Sequence, residues 1–452
     1  MSDAEQTPAD SPAQRSFTPA GVAHYFSQHP TGFWFIFWGE LAERASYYGM
    51  RAILALYLVD QLDFKPGSAS QVIALFGAAV YLLPLAGGYL ADHYFGKYRT
   101  IVAFSLPYIL GHVVLGIESR PFLYTALALL AMGSGVIKPN ISPLMAMTYD
   151  QRRPGQTELR SDAFAMFYFA INVGAAASQF MMPLLRKWYD YQIAFLFPAG
   201  LMVVAFAAFA AGKPYYAVET IAPPDRSPEH RRQQWDVLAR LAAMFLVVSF
   251  FWMVFEQSPS TWTFFARDYM DLSIGPWTLQ PDQLQAFNPV LILILLPWIT
   301  VFWRVLGQMG LRLRATDKMM VGFVLTALSM AVMSGAGFLA SESEKVSILW
   351  EFGAYLLITT AEICISVVGL ELAYTVAPPS LKSFVTGCWL ATVFIGNMVN
   401  SVVTPLYDAQ FAPGPYFGLM TVIMVFVALA FAVIARRFNQ QDIPPATPEN
   451  EG

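Results

Sequence analysis

The chain has 452 residues, of which 56% are hydrophobic and only 13% charged. Soluble domains carry about 25% charged residues, so the composition excludes a soluble globular fold and reads as a polytopic membrane protein. The net charge of -4 names no partner, and the sequence holds no P-loop, no dinucleotide fingerprint, no metal-ligand spacing and no basic aromatic patch for nucleic acid.

Residues 1–30 are polar, contain Pro8, Pro12 and Pro19, and are expected to form a disordered cytosolic tail without a cleavable leader. Apolar windows long enough to cross a membrane follow at about 32–58, 68–91, 100–118, 122–148, 162–185 and 191–212. A polar stretch at 213–239 separates them from six more at about 240–265, 284–306, 318–340, 346–376, 383–404 and 414–437. The expected organisation is an N-terminal six-helix bundle over 31–212, a cytosolic linker over 213–239, a C-terminal six-helix bundle over 240–437 and a cytosolic tail over 438–452. With the N-terminus inside, eighteen Lys and Arg fall on the cytosolic side and six opposite, so both ends are expected to be cytosolic. Cys364 and Cys388 lie in apolar spans and read as packing residues.

The first span carries the strongest chemical signal. At about 100° per residue, Glu40, Glu43, Arg44, Tyr47, Tyr48 and Arg51 share one helical face about 140° wide, with Leu41, Ala42, Ala45, Met50 and Ala52 over most of the rest. Such a helix is expected to have lipid behind it and an aqueous cavity in front. Other deep ionisable groups are Lys138 in span 4, Glu256 in span 7 and Glu362 in span 10. The cations Arg44, Arg51 and Lys138 belong to the first half, whereas Glu256 and Glu362 belong to the second. Unpaired charges in a membrane are costly and mark function, so these groups are expected to pair across the bundles or with substrate. His112 reads as a packing histidine, and Trp252 and Trp389 read equally as pocket walls or as ordinary membrane aromatics.

Two bundles of six around a central linker resemble the major facilitator superfamily, whose bundles rock about a midplane site. The segment Gly87-Gly88-Tyr89-Leu90-Ala91-Asp92 through Gly96-Lys97-Tyr98-Arg99 is similar to that superfamily's cytosolic loop signature, which implies an inward-side latch between the bundles. More specifically, Glu40-Leu41-Ala42-Glu43-Arg44-Ala45-Ser46-Tyr47-Tyr48-Gly49 resembles the ExxERFxYYG signature of the proton-dependent oligopeptide transporter family. Phe167-Tyr168 with Ile171-Asn172-Val173-Gly174 resembles its FYxxINxG signature, and Lys138, Trp252/Glu256, Glu362 and Trp389 match its later positions in order.

The resemblance implies proton-coupled uptake of di- and tripeptides, with the proton as coupling ion and no other cofactor. It places Arg44, Lys138 and Tyr47 at the peptide carboxylate and Asn172, Asn288 and Glu362 at its amino terminus. Tyr48, Tyr81, Trp252, Ser366 and Trp389 would line side-chain pockets. Glu40, Glu43 and Glu256 would carry or respond to the proton, with Arg51 or Lys138 pairing to Glu256 at the outer gate. Ala45 departs from the signature Phe and is expected to loosen packing beside the charge cluster. Val367 stands where the family usually has Pro, which implies a weaker kink in span 10, and Ser258-Pro259 departs in span 7. The linker is too polar and short for the two helices that many bacterial members insert, so twelve spans are expected. Expected partners are small peptides, protons and membrane lipids, the expected state is a monomer, and the expected location is the plasma membrane, the inner one in a bacterium. The same scaffold carrying a non-peptide anion or a peptide-like conjugate is the rival reading, and a non-transporting peptide sensor a more distant one. No HExxH, Ser/His pair or paired Asp motif lies on the spans, so an enzyme is not expected.

Overall fold

The computed structural model describes residues 19–221, 227–311, 313–341, 343–378 and 381–441 and is helical almost throughout. A short helix α1 (Pro19–Gln28) precedes α2 (Thr31–Asp60), α3 (Pro66–Leu90), α4 (Lys97–Leu115), α5 (Arg120–Arg152), α6 (Thr157–Trp188) and α7 (Tyr191–Ala211). The second half holds α8 (Pro228–Phe255), α9 (Thr263–Tyr269), α10 (Phe287–Gln308), α11 (Ala315–Leu339), α12 (Leu349–Glu362), α13 (Val368–Val376), α14 (Lys382–Val403) and α15 (Pro413–Gln441). Among the described residues, eleven helical stretches are long and apolar enough to cross a membrane. The remaining expected span, α2, is 30 residues long, about 45 Å at the α-helical rise, and carries four charged residues at its centre.

Three boundaries differ from the sequence expectation. Residues 19–28, expected within the disordered tail, form α1, because Tyr25 donates to Asp162 Oδ2 at 2.8 Å and Arg153 Nε donates to the Gln28 carbonyl at 2.8 Å. The second bundle starts earlier, inside the expected linker, since α8 begins at Pro228. Its last helix continues past 437 to Gln441. Residues 1–18, 222–226 and 442–452 of those tails and linker lie outside the described residues.

Small residues let the first bundle close around α2. A Cβ on Gly174 of α6 would stand 2.7 Å from the Leu41 carbonyl and 3.3 Å from the Ala45 nitrogen, and one on Gly49 would meet Met182 at 2.9 Å. Lipid supplies no hydrophobic drive between helices, so close backbone approach through Gly and Ala is how such helices gain contact. Ala45 lies buried at this crossing, its backbone beside Gly174.

Single π-helical turns end α3 at Ala91–Phe95 and interrupt two later spans, at Ser258–Trp262 and Ile363–Val367. The second contains Pro259, whose ring removes a donor and crowds the preceding turn. The third forms without a proline, with Val367 as its last residue. Such turns concentrate at functional sites, and here Glu256 and Glu362 sit at the entrances of two of them. Short strand pairs, Met270–Asp271 with Val346–Ser347 and Ser273–Ile274 with Trp277–Thr278, cover the second bundle at the end away from α1 and Gln441, called the far end below.

Candidate functional site

Midway along α2, Arg44 lies between two carboxylates of its own helix. Its Nε stands 3.2 Å from Glu40 Oε1, one turn back, and also donates to Glu43 Oε2. All three side chains are buried. The arrangement leaves Arg44 Nη2, Glu40 Oε2, Glu43 Oε1 and the Tyr47 hydroxyl buried without a protein hydrogen-bond partner, and buried groups of this kind are ordinarily satisfied. Lys138 reaches the same region from α5. Its ammonium stands 4.3 Å above the Tyr81 ring, within electrostatic range of Arg44, Glu40, Glu43 and Glu256, and among the described residues no carboxylate lies at ion-pair distance. Tyr47 and Tyr48 meet edge to face at 5.2 Å.

Two turns beyond Arg44, Arg51 Nη2 donates to Glu256 Oε2 of the second bundle, both side chains buried. Of the two cations expected to compete for Glu256, Arg51 holds it in this conformation. The interface continues to the far end. Gln285 Nε2 donates to the Ala52 carbonyl at 3.0 Å, and Gln283 Nε2 donates to the Phe180 carbonyl at 3.0 Å. Arg186 grips Asp282 with two hydrogen bonds of 3.2 and 3.1 Å, and Arg267 lies 3.6 Å from Asp60. Among the described residues, the interbundle ion pairs all lie in the far half of the molecule, so the far end is the closed one.

On the second bundle, Glu362 accepts from Asn288 Nδ2 at 2.8 Å, and the same amide lies 3.2 Å from Thr359 Oγ1. Both side chains are half-buried, and Glu362 is in electrostatic range of Tyr48 and Tyr168 on the first bundle. Glu362 thus has a neutral partner where Glu256 has a cation. Trp252 stacks edge-on to Phe255 at 5.4 Å with its Nε1 unpartnered. Trp389 is buried between Phe245, 5.8 Å away, and Gly369, where a Cβ would approach its ring to 2.5 Å. Asn172 donates to the Tyr168 carbonyl of its own helix at 2.9 Å, and Ser366 is half-buried in the π turn after Glu362.

The structure therefore brings Glu40, Glu43, Arg44, Tyr47, Tyr48, Arg51, Tyr81, Lys138 and Glu256 into one electrostatic cluster, with Asn288 and Glu362 facing it. His112 does pack, against Ser46 Oγ at 2.8 Å and stacked on Tyr108. Arg186, Asp282, Gln283 and Gln285 were not among the sequence candidates. They lie near span ends, where polar residues look like ordinary membrane-surface groups. The spacing Tyr168–Asn172 places both on one helical face, the sequence signal that points to Tyr168 as well. The loop at Asp92 has Lys97 as its ion partner at 2.5 Å, and Tyr98 N donates to Glu219 of the following linker at 2.9 Å.

The family model described as POT family matches residues 98–228 and 218–417. Solute carrier family 15 member 2 of Mus musculus is 32% identical over 361 residues, covering 68% of this chain and 49% of its own length. The chain thus spans about half the length of that curated relative. The transporter YclF of Bacillus subtilis (strain 168) is 26% identical over 478 aligned residues, covering 91% of this chain and 95% of its own. The crystal structure of the POT family transporter PepTSo superposes with a TM-score of 0.81 at 28% identity, covering 91% of this chain and 99% of that one.

Proposed function

The chain belongs to the POT family, and from that premise we propose that it imports di- and tripeptides together with protons by alternating access. It sits in a plasma membrane, the inner one in a bacterium, with both chain ends cytosolic and the far end outward. A single chain holds both bundles and every group the mechanism uses.

The observation that carries this reading is the buried pair Arg51–Glu256 joining the two bundles. Its two sides come from different halves of the chain, so its protonation state bears on how those halves hold together. Protonating Glu256 removes the anion and leaves Arg51 without its counter-charge, which favours separation at the far end. A coupling ion shifts a conformational balance only through such a difference in interaction.

Peptide binding supplies the other half. A peptide has a carboxylate and an ammonium at fixed ends and variable side chains between. Lys138, the free Nη2 of Arg44 and the Tyr47 hydroxyl suit the carboxylate, while Glu362 with Asn288 suits the ammonium. Tyr48, Tyr81, Tyr168 and Trp252 offer walls that tolerate many side chains. Among the described residues the cluster holds four acids (Glu40, Glu43, Glu256, Glu362) and three bases (Arg44, Arg51, Lys138). Fully ionised, it carries one excess negative charge in a membrane interior, which a single proton neutralises. A zwitterionic peptide leaves that count unchanged, so proton and peptide travel together without adding charge to the buried site.

The test is uptake of labelled dialanine into proteoliposomes under an inward proton gradient. Accumulation that unlabelled dipeptides compete and free amino acids do not is expected. Competition by organic anions alone would instead favour the non-peptide cargo.

A further inference from the structure

Glu351 has no place in that mechanism, yet it is an ionisable group inside a membrane-spanning helix. It lies in the first turn of α12 and is 1% exposed, with Oε2 lacking any hydrogen-bond partner. Among the described residues no Lys, Arg or His lies at ion-pair distance from it. One turn further, Tyr355 is also buried, its hydroxyl near Ser258 and its ring edge-on to Trp262 at 5.0 Å. Trp262 Nε1 is itself without a partner. Ser258 and Trp262 bound the π turn that directly follows Glu256 and Gln257. A row of polar side chains, Glu351, Tyr355, Ser258 and Trp262, thus leads to the turn that directly follows the gate carboxylate.

Among the described residues, no charged group lies at ion-pair distance from Glu351 on the elements packed around it. Phe287 of α10 lies against Phe352 and Tyr355, and the basic residue of α10, Arg304, is at its opposite end. The titratable residues of α11, Asp317 and Lys318, are likewise at the opposite end. Asp271 and Lys345 are exposed at the surface, and the Arg51–Glu256 pair lies beyond Tyr355. Burying an uncompensated carboxylate in such a place is far more costly than burying a neutral acid.

We propose that Glu351 is a second proton-binding site, carried protonated while the far end is closed, and that its ionisation opposes this closed state. The proton comes from water on the far side and returns there, so the site tunes closure to outside acidity without adding to the transported protons. The consequence for transport rests on the peptide-symport reading; the test below does not.

Purified wild type and Glu351→Gln are melted at about pH 6 and about pH 8. A folded state that holds a proton the unfolded chain releases loses stability as pH rises, and a carboxamide removes that dependence. The wild type is therefore expected to lose more melting temperature between the two conditions than E351Q. In proteoliposomes the ratio of dipeptide uptake at about pH 8 to that at about pH 6 is expected to rise at least about threefold in E351Q. Equal pH dependence of melting in both proteins would overturn the proposal. So would an E351Q that does not fold, because a carboxamide has the shape of the protonated acid. If the wild type carries no peptide, the transport reading fails while the melting comparison still decides Glu351.

Discussion

Arg44 and Arg51 lie two turns apart on one helix, about 10 Å along its axis, and their partners differ. Arg44 is neutralised within its own helix by Glu40 and Glu43, whereas Arg51 reaches across to Glu256. Removing one member of a buried pair strands the other, at about 3–5 kcal/mol. Arg51→Ala is therefore expected to lower the melting temperature and abolish dialanine accumulation, and a variant with unchanged stability would contradict a buried pair. Asp282 is fully buried against Arg186. Asp282→Asn weakens that grip while keeping its shape, so a cysteine placed at the far end should label faster with an impermeant thiol reagent. The candidate site was legible at this scale where charge sits deep in apolar sequence, as at Glu43, Arg44, Lys138 and Glu362. It was not legible where charge sits near a span end. Arg186, Asp282 and Glu351 resemble surface residues until the fold buries them, and the choice of Arg51 over Lys138 for Glu256 depends on distances that spacing does not contain.

At the scale of elements, the helices were readable from apolar length, and the breaks within them were only partly so. Pro259 announces the π turn after Glu256, but Ile363–Val367 breaks without a proline. Both breaks place a glutamate where the regular backbone ladder is interrupted. Helix α1 was hidden in a proline-bearing polar stretch, because its stability comes from docking on α5 and α6 and not from its own sequence. His29, just after α1, is buried beside Tyr149, 2.5 Å from its hydroxyl. Burial holds its pKa below the ordinary value, Asp162 opposes the shift and Arg153 reinforces it. The neutral ring is the one that fits, so this contact contributes fully above the ordinary histidine value of about 6.5 and is lost as pH falls below it. Limited proteolysis next to α1 should therefore accelerate on acidification in the wild type and not in His29→Phe. Equal acid sensitivity in both would remove His29 from the docking contact.

For the molecule as a whole, the two halves of the chain meet through polar contacts concentrated at the far end, with the charged cluster midway along α2. The helical membrane architecture was readable from the long apolar windows, and the polar stretch at 213–239 is what suggests a division into two halves. Which end is shut was not, since it is a property of contacts between distant helices. The closed far end and the half-buried Lys138, Asn288 and Glu362 suit a conformation poised toward the side of the chain ends. The central claim, that protonation of Glu256 links the gradient to bundle movement, is tested most directly by comparing two assays on Glu256→Gln in proteoliposomes. Counterflow of dialanine, which needs no net proton movement, is expected to persist, while accumulation driven by an imposed pH gradient is expected to fall to background. Accumulation at the wild-type level in Glu256→Gln would contradict the account.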